Sequence, residues 1–204
     1  FFSKERQNVH VVHFTSYIEN ELKQLSEVDE NGILSEFGLS AMQYIAVCNQ
    51  FWKHKDHQVV LEAVRYIAER YPGSDVKIVF TGELSDRRDP EYIDRLKEIF
   101  NEPSIRTRVQ VVGFVDRITQ LCIMKHSRFI IQPSLFEGWG TVVEDAKVLN
   151  KRILLSDIKV HREQMDENCR LFKPGSSSDL AMAVIEMLED PNSIGYPTED
   201  QTGT

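Results

Sequence analysis

The sequence predicts a doubly wound α/β domain, that is, a parallel β-sheet with helices on both of its faces. From Tyr44 onward, short β-branched or apolar runs alternate with amphipathic stretches, which is typical of repeated βα units. The apolar residues of the longer stretches recur at helical spacing, and glycine or proline ends several segments. The chain of 204 residues is 41% hydrophobic and 27% charged, which fits one globular domain with additional segments.

Short apolar runs mark the predicted strands. They span residues 44–48, 76–80, 109–112, 129–131, 153–155 and 169–172, and residues 8–14 form a further candidate. A sheet of five or six parallel strands, each followed by a helix, binds its ligands at the carboxyl ends of the strands. The loops that follow the strands are therefore the candidate sites.

The amphipathic stretches between these runs are predicted as helices. The first carries an apolar stripe, ended by Pro72-Gly73, whose members are Val59, Val60, Ala63, Val64, Ile67 and Ala68. Further helices are predicted over residues 91–100, 116–126 and 140–149. Residues 176–179 are predicted to cap a last helix, whereas the acidic residues 26–32 are expected to form an exposed connection.

Composition restricts the partners and the location of the chain. The 24 Lys and Arg residues against 32 Asp and Glu give a formal net charge of −8, which argues against a nucleic-acid partner. No apolar stretch approaches the roughly 18 residues of a spanning helix, and the first residues lack a signal-peptide pattern. Cys48, Cys122 and Cys169 are far apart among apolar neighbours, which predicts buried free thiols in a reducing cytoplasm.

The loop from Phe136 to Thr141 follows a predicted strand and opens a predicted helix. A helix start offers unpaired N–H groups and a partial positive charge, and Gly138 and Gly140 let a ligand approach the backbone, so a phosphate fits there. The G-x-G-x-x-G fingerprint is incomplete, because Val143 stands in place of its third glycine. On spacing alone, a plain tight turn is an equally good interpretation.

Acidic residues flank this loop. Glu137 precedes the helix, and Glu144 and Asp145 lie one turn inside it, where they cannot both face one ligand. A carboxylate near a phosphate is favourable when it accepts hydrogen bonds from hydroxyl groups, which indicates a sugar or ribose. The alternative is that these are solvated acids stabilised by the helix dipole.

The loop after the first strand carries both amide and basic side chains. Asn49 tolerates a left-handed backbone, and a lysine here can reach an anion held over the sheet edge, but the spacing does not choose between Lys53 and Lys55. His54 and His57 have the spacing of a metal pair without a third ligand at helical spacing. Packing and capping roles are therefore favoured for both histidines.

Together these segments resemble the carboxy-terminal, donor-binding domain of the retaining glycosyltransferases of family 4, which have the two-domain GT-B fold. The strongest match runs from Gln132 to Lys147 and continues over residues 156–163. The resemblance covers roughly residues 36–190 and implies a Rossmann-like nucleotide-sugar-binding domain there. It implies that residues 1–35 are an interdomain connection with a remnant of the preceding domain, and that residues 191–204 are a loosely held tail.

The resemblance also implies a role for each matched residue. Glu137 matches the catalytic acid that contacts the transferred sugar, and Asp145 matches the acid that holds the ribose hydroxyls, where the family more often has glutamate. Lys55 matches the lysine that clamps the diphosphate, whereas Gln50 stands where the family has an arginine. The other donor-binding positions that it implies are Asn49, Phe114, Val115, Gly138, Trp139, Gly140 and Thr141.

The implied reaction transfers a sugar from a UDP- or GDP-sugar to a glycan or lipid-linked acceptor with retention at the anomeric carbon. No metal or other cofactor is expected, because Lys55 and the helix start supply positive charge. Polysaccharide biosynthesis, with mannosyl transfer as the preferred reaction, is the implied process, in a parent protein placed peripherally at the inner membrane surface. The acceptor would bind a missing amino-terminal domain, so the fragment alone is expected to be inactive. The alternatives are a non-catalytic nucleotide-sugar-binding module and a nucleotide-sugar epimerase-like enzyme.

Overall fold

The computed structural model of this chain describes residues 18–189. The candidate strand at residues 8–14 and the expected tail at residues 191–204 lie outside that range. The strands are β1 (Ile45–Cys48), β2 (Ile78–Thr81), β3 (Val109–Gly113), β4 (Ile130–Gln132), β5 (Ile153–Ser156) and β6 (Cys169–Phe172). The helices are α1 (Glu19–Glu27), α2 (Glu30–Glu36), α3 (His57–Arg70), α4 (Pro90–Phe100), α5 (Pro103–Arg106), α6 (Arg117–His126), α7 (Thr141–Val148), α8 (Lys159–Gln164) and α9 (Ser177–Glu189).

The six strands form one sheet in which every pair is parallel, in the order β3-β2-β1-β4-β5-β6. The predicted doubly wound parallel sheet is therefore confirmed. The chain builds outward from β1 to β3 and then crosses back to place β4 on the other side of β1. At such a switch point the loops after the two neighbouring strands diverge and leave a crevice at the carboxyl edge.

The central strands are buried on both faces, as their continuous apolar runs predict. Alternate residues of β1 point to opposite faces, so Ile45 and Val47 belong to one hydrophobic cluster and Ala46 and Cys48 to the other. The first cluster includes side chains of α3 and α9, and the second includes side chains of α6 and α7. Helices therefore cover both faces of the sheet, and its carboxyl edge is left for a site.

Two further predictions about the core are confirmed with one small difference. The stripe predicted for the first helix is buried on α3, apart from Ala68, which is half-buried. Cys48, Cys122 and Cys169 are buried free thiols. In residues 18–189, no helix is long and apolar enough to cross a bilayer.

The acidic segment at residues 26–32 is mostly exposed, as predicted, but most of it is helical. It closes α1 and opens α2 after a short break. Leu34 of α2 is buried, and Glu30 accepts a hydrogen bond from Lys125 Nζ at 2.6 Å and lies 2.5 Å from His126 Nε2 on α6. The many charged residues of this segment favoured the prediction of a connection, whereas it contributes to two short helices that pack against α6.

Candidate functional site

A cleft of about 360 Å³ lies at the carboxyl edge of the sheet, beside the switch point. Seven of the predicted binding residues line it: Asn49, Gln50, Lys55, Phe114, Val115, Thr141 and Asp145. The loops after β1 and β4 meet at its edge, where the Leu135 N–H donates to the His54 carbonyl at 2.8 Å. The topology thus brings together residues that are far apart in the sequence.

The two lysines of the loop after β1, Lys53 and Lys55, pair with different acidic residues. A 3₁₀ turn spans Lys53–Lys55, and Asp56 then adopts a left-handed backbone with φ of 47° and caps α3 by accepting from the Val59 N–H. The Lys55 ammonium lies 2.5 Å from Glu137 Oε1 and is mostly buried, whereas Lys53 Nζ pairs with Asp89 at 2.8 Å near solvent. The structure therefore places Lys55, and not Lys53, on the wall of the cleft.

Glu137 sits at the centre of a polar network. Its Oε1 atom accepts hydrogen bonds from Lys55 Nζ at 2.5 Å, Gln132 Nε2 at 2.7 Å and Ser134 Oγ at 2.8 Å. Gln132 is held in turn by paired amide hydrogen bonds to Asn49, at 2.9 and 3.2 Å. Within residues 18–189 these hydrogen bonds all end on Oε1. Glu137 does not itself line the cleft, but it holds Lys55, which does.

The charge state of Glu137 follows from this network. Burial raises the pKa of the Glu137 carboxyl, but the hydrogen bond and positive charge of Lys55, with Ser134 and Gln132, lower that pKa further than burial raises it. Glu137 is therefore an ionised carboxylate at neutral pH. A carboxylate held in this way is a weak base and a weak nucleophile.

Asp145 faces the cleft in a fork-to-fork ion pair. Arg117, the first residue of α6, donates from Nη1 to Asp145 Oδ2 at 2.7 Å and from Nη2 to Oδ1 at 2.6 Å. The hydrogen bonds to Asp145 raise the pKa of the Arg117 guanidinium. Glu144 points elsewhere and accepts from Gln164 Nε2 of α8 at 2.7 Å. The two neighbouring acids thus face different elements, as the helix geometry predicts.

The start of α7 is fixed by Gln164. The Gly140 N–H donates to Gln164 Oε1 at 3.1 Å, and the Gly140 carbonyl accepts from Gln164 Nε2 at 2.9 Å. The Gly140 amide is therefore already occupied, and the first-turn amides at Thr141 and Val142 are the ones beside the cleft. Gly138 is exposed and Trp139 half-buried, and neither they nor Gly140 line the cleft.

Gln50, which stands where the family has an arginine, makes a contact between two loops. Gln50 Oε1 accepts from the Glu83 N–H at 3.0 Å and so joins the loop after β1 to the loop after β2. Gly82 makes this approach possible, because its φ is +109° and a Cβ there would lie 2.2 Å from the Asn49 carbonyl oxygen. Phe114, in contrast, presents a 74% exposed ring at the cleft, where a flat group can stack on it.

Several site residues were not predicted, and Arg117 is the most informative of them. Gln132, Ser134 and Gln164 are buried polar side chains that hold Glu137 or Gly140. A sequence signal existed for Arg117: an arginine in the first turn of a helix opposes the helix dipole. Such an unfavourable placement indicates a specific partner, which here is Asp145.

The histidines of the loop after β1 do not form a metal pair. Burial lowers the pKa of His57 to about 3, and its ring stacks on Phe51 with centroids 4.1 Å apart. Within the described part of the chain, one group of three potential ligands lies together, formed by Glu30, Cys122 and His126. The Glu30 carboxylate there already pairs with α6, and none of the three lines the cleft.

Comparison with known proteins agrees with this architecture. The family described as "Glycosyl transferases group 1" matches residues 39–201. The chain belongs to this family. The chain is 20% identical over 186 residues to the alpha-D-kanosaminyltransferase of Streptomyces kanamyceticus, a match that covers 88% of this chain and 46% of that protein. The chain thus spans about half the length of this curated relative.

Two solved structures have the same fold. Anabaena Alr3699/HepE in complex with UDP superposes with a TM-score of 0.69 at 19% identity, over 81% of this chain and 44% of that one. The C-terminal domain of the glycosyl transferase group 1 family protein LpcC from Francisella tularensis superposes with a TM-score of 0.64 at 19% identity, over 80% of this chain and 84% of that one. The six-stranded sheet is therefore that of a GT-B carboxy-terminal domain.

Proposed function

We propose that this chain is the donor-binding domain of a retaining glycosyltransferase and that it binds a nucleoside diphosphate sugar in the cleft. The observation that carries the proposal is the meeting of Lys55, Asp145 and the first turn of α7 on the wall of one cleft at the switch point, with Glu137 paired to Lys55 from behind it. A cation and a helix start suit a diphosphate, and the carboxyl groups of Glu137 and Asp145 suit the hydroxyl groups of a sugar and a ribose.

Each part of the donor has a matching part of the cleft. The diphosphate lies between Lys55 and the amides of Thr141 and Val142, and the ribose hydroxyls donate to Asp145. The base stacks on Phe114 beside Val115, and the transferred sugar reaches the carboxylate of Glu137. Because the structurally similar HepE was solved with UDP and with UDP-glucose, a UDP-sugar is the first donor to test and a GDP-sugar, which mannosyl transfer would use, is the second.

The residues of the cleft stabilise a departing diphosphate. The bond between the anomeric carbon and the diphosphate oxygen breaks, and its electron pair leaves with the diphosphate, whose growing charge Lys55 and the start of α7 stabilise. The acceptor oxygen then bonds to the anomeric carbon on the same face, and its proton passes to the diphosphate. Glu137 orients the sugar and stabilises positive charge on it, and in this scheme no metal ion is needed.

The whole protein is proposed to be a two-domain enzyme of polysaccharide biosynthesis. Its acceptor-binding domain would supply the half of the relatives' length that this chain does not cover. We place the parent in the cytoplasm, peripherally at the inner membrane surface, where lipid-linked acceptors are reached. The isolated chain would bind donor without transferring it.

A thermal-shift panel tests donor binding by this chain. UDP, GDP, UDP-glucose and GDP-mannose are compared with AMP and inorganic diphosphate, and a ligand that binds only the folded state raises the melting temperature. We expect a UDP or GDP compound to raise it, and more than inorganic diphosphate does. Equal shifts for all compounds, or none, would overturn the proposal.

A non-catalytic nucleotide-sugar-binding module is the second candidate, and the Gln50 contact favours it. Since Gln50 stands where the family has an arginine and bonds to the Glu83 backbone, this position offers no cation to a diphosphate. A transfer assay on the full-length parent separates the two functions, because a sensor binds donor without consuming it. Release of an epimerised nucleotide sugar would instead indicate an epimerase-like enzyme.

A further inference from the structure

Three potential metal ligands lie together where α2 packs against α6, away from the cleft. They are Glu30 of α2 and Cys122 and His126 of α6, and their ligand atoms all lie within 4.8 Å of one another. Cys122 and His126 are four positions apart on α6, so they project from the same face of that helix. Glu30 and Cys122 are 92 positions apart in the sequence, and the fold alone brings them together.

The Glu30 carboxylate is held so that one of its oxygens faces the other two residues. Its Oε1 atom accepts from Lys125 Nζ at 2.6 Å, and its Oε2 atom lies 2.5 Å from His126 Nε2. The Cys122 thiol donates to the Glu30 carbonyl oxygen at 3.6 Å. In metal sites an outer hydrogen bond orients a ligating carboxylate, and Lys125 supplies such a bond here.

The chemistry of these three side chains matches zinc. Thiolate, imidazole and carboxylate are the groups that bind Zn²⁺ in proteins, whereas Mg²⁺ and Ca²⁺ prefer oxygen ligands. Zn²⁺ with one thiolate and one carboxylate carries no net charge, which suits a half-buried position beside the Lys125 ammonium. On binding, the thiol proton leaves to solvent, the zinc ion lies between Glu30 and His126, and a water molecule completes the coordination.

An ion pair alone accounts for less of this arrangement. The contacts of Glu30 with Lys125 and His126 explain why these charged side chains meet, but they make no use of the thiol. Cys122 is fully buried, where a small apolar side chain would pack equally well. Its sulfur lies instead in the one group of three potential ligands found within residues 18–189.

We propose that Glu30, Cys122 and His126 form a zinc site that joins α2 to α6. The site lies outside the cleft and goes beyond the proposed function, because zinc there supports the fold and takes no part in sugar transfer. The helix α2 has seven residues and α6 has ten. A helix as short as α2 depends on its neighbours for stability, and a shared metal ion adds its binding free energy to folding.

Cobalt absorption tests this site directly, because Co²⁺ replaces Zn²⁺ and its spectrum depends on its ligands. The full chain is titrated with Co²⁺ and then with Zn²⁺. A thiolate ligand gives a charge-transfer band in the near ultraviolet, and tetrahedral coordination gives intense bands in the visible. The variants are Cys122→Ser and His126→Ala, and the matched control is Cys169→Ser, which removes another buried free thiol, on β6. Circular dichroism verifies the fold of each variant.

We expect one equivalent of Co²⁺ to produce both kinds of band, and Zn²⁺ to remove them with a dissociation constant of about 1 μM or below. Cys122→Ser should abolish the charge-transfer band. His126→Ala should weaken Zn²⁺ binding at least about 100-fold, because loss of an outer partner already costs roughly 10- to 100-fold. Cys169→Ser should keep both the spectrum and the affinity. Zn²⁺ should raise the melting temperature of the unmodified chain and of this control more than that of the two ligand variants.

Two results would overturn the inference. If the unmodified chain gives no charge-transfer band, or a band that Cys122→Ser retains, the thiol is not a ligand and the cluster is an ion pair only. If His126→Ala binds Zn²⁺ as tightly as the unmodified chain, the imidazole is not a ligand, and this variant decides if Cys122→Ser does not fold. Neither result bears on donor binding, which the thermal-shift panel measures separately.

Discussion

At the scale of single residues, Lys53 and Lys55 provide the sharpest comparison. We expect Lys55→Ala to weaken nucleoside diphosphate binding about 10- to 100-fold, the range of a hydrogen bond to a charged group. The variant removes a mostly buried cation and leaves Glu137 facing the diphosphate without its counter-ion. Lys53→Ala is the matched control, because that lysine pairs with Asp89 near solvent. Titration calorimetry measures both, and equal losses would refute the assignment of Lys55.

The choice between these lysines could not be predicted from the sequence. It depends on the 3₁₀ turn at Lys53–Lys55 and on the left-handed backbone of Asp56, which no spacing rule specifies. The position of Arg117 beside Asp145 was hidden for a related reason, because the two residues are 28 positions apart and meet only through the order of the strands. Glu137 and Asp145 could be chosen as candidates from the sequence, because both belong to one continuous loop and helix that resembles the family.

The Glu137 carboxylate should give the domain a specific response to acid. Its pKa in the folded chain is lowered from the ordinary value of 4.5, so its pairing with Lys55 contributes full stability above that value. This stability is lost as pH falls through the lowered pKa. Other carboxylates lose stability in the same range, so the measurement is a difference between two proteins.

We therefore expect the melting temperature of the unmodified chain to fall more steeply with acid than that of Glu137→Gln below about pH 5. Glu83→Gln is the control, since Glu83 contacts Gln50 through its backbone N–H, which this substitution leaves in place. Parallel curves for the unmodified chain and Glu137→Gln would contradict an ionised Glu137 paired with Lys55.

At the scale of elements, the strands and long helices were predictable and the short helices were not. Continuous apolar runs identify buried parallel strands, although pairing moves their ends: β2 begins at Ile78, the residue that pairs with both Ile45 and Val109. The helices α1, α2, α5 and α8 were missed. Each of these helices has nine residues or fewer, too few to show a clear apolar periodicity. Helices this short form because they pack against neighbouring elements.

A substitution at Gly82 tests whether the loops after β1 and β2 lie in close contact. Gly82 and Gly113 both have positive φ, at +109° and +82°, but a Cβ at Gly82 would lie 2.2 Å from the Asn49 carbonyl oxygen while Gly113 has open space. Gly113→Ala therefore reports the backbone strain alone, about 1–2 kcal/mol. Gly82→Ala adds a clash with backbone and should lower the free energy of unfolding by about 3 kcal/mol or more.

Urea denaturation measures both free energies of unfolding. The rise in melting temperature on addition of UDP measures how well the cleft of each variant binds the nucleotide. Because Gly82→Ala must displace Asn49 and Gln50, which line the cleft, we expect it to weaken UDP binding where Gly113→Ala does so less. Similar free energies for the two variants would mean that the loops after β1 and β2 do not meet as closely as described.

At the scale of the whole molecule, the cleft lies open on one side. It is built from one domain, and Phe114 on its wall is 74% exposed, while Leu135 and Phe136 of the loop after β4 are 48% and 70% exposed. Charge stabilisation of a leaving diphosphate is strong only where water is excluded. In the proposed enzyme, this exclusion comes from an acceptor-binding domain that closes over these side chains.

A comparison of the isolated chain with the full-length parent follows from this geometry. We expect both to bind the same nucleotide sugar, and the parent alone to form a glycosidic bond, as followed by mass spectrometry of products from donor and acceptor. Glu137→Gln in the parent should keep donor binding and lose at least about 100-fold in turnover, since Glu137 supports the sugar only as charge develops on it. Turnover by the isolated chain would contradict the need for a second domain, and full activity of the Glu137→Gln parent would remove Glu137 from the reaction.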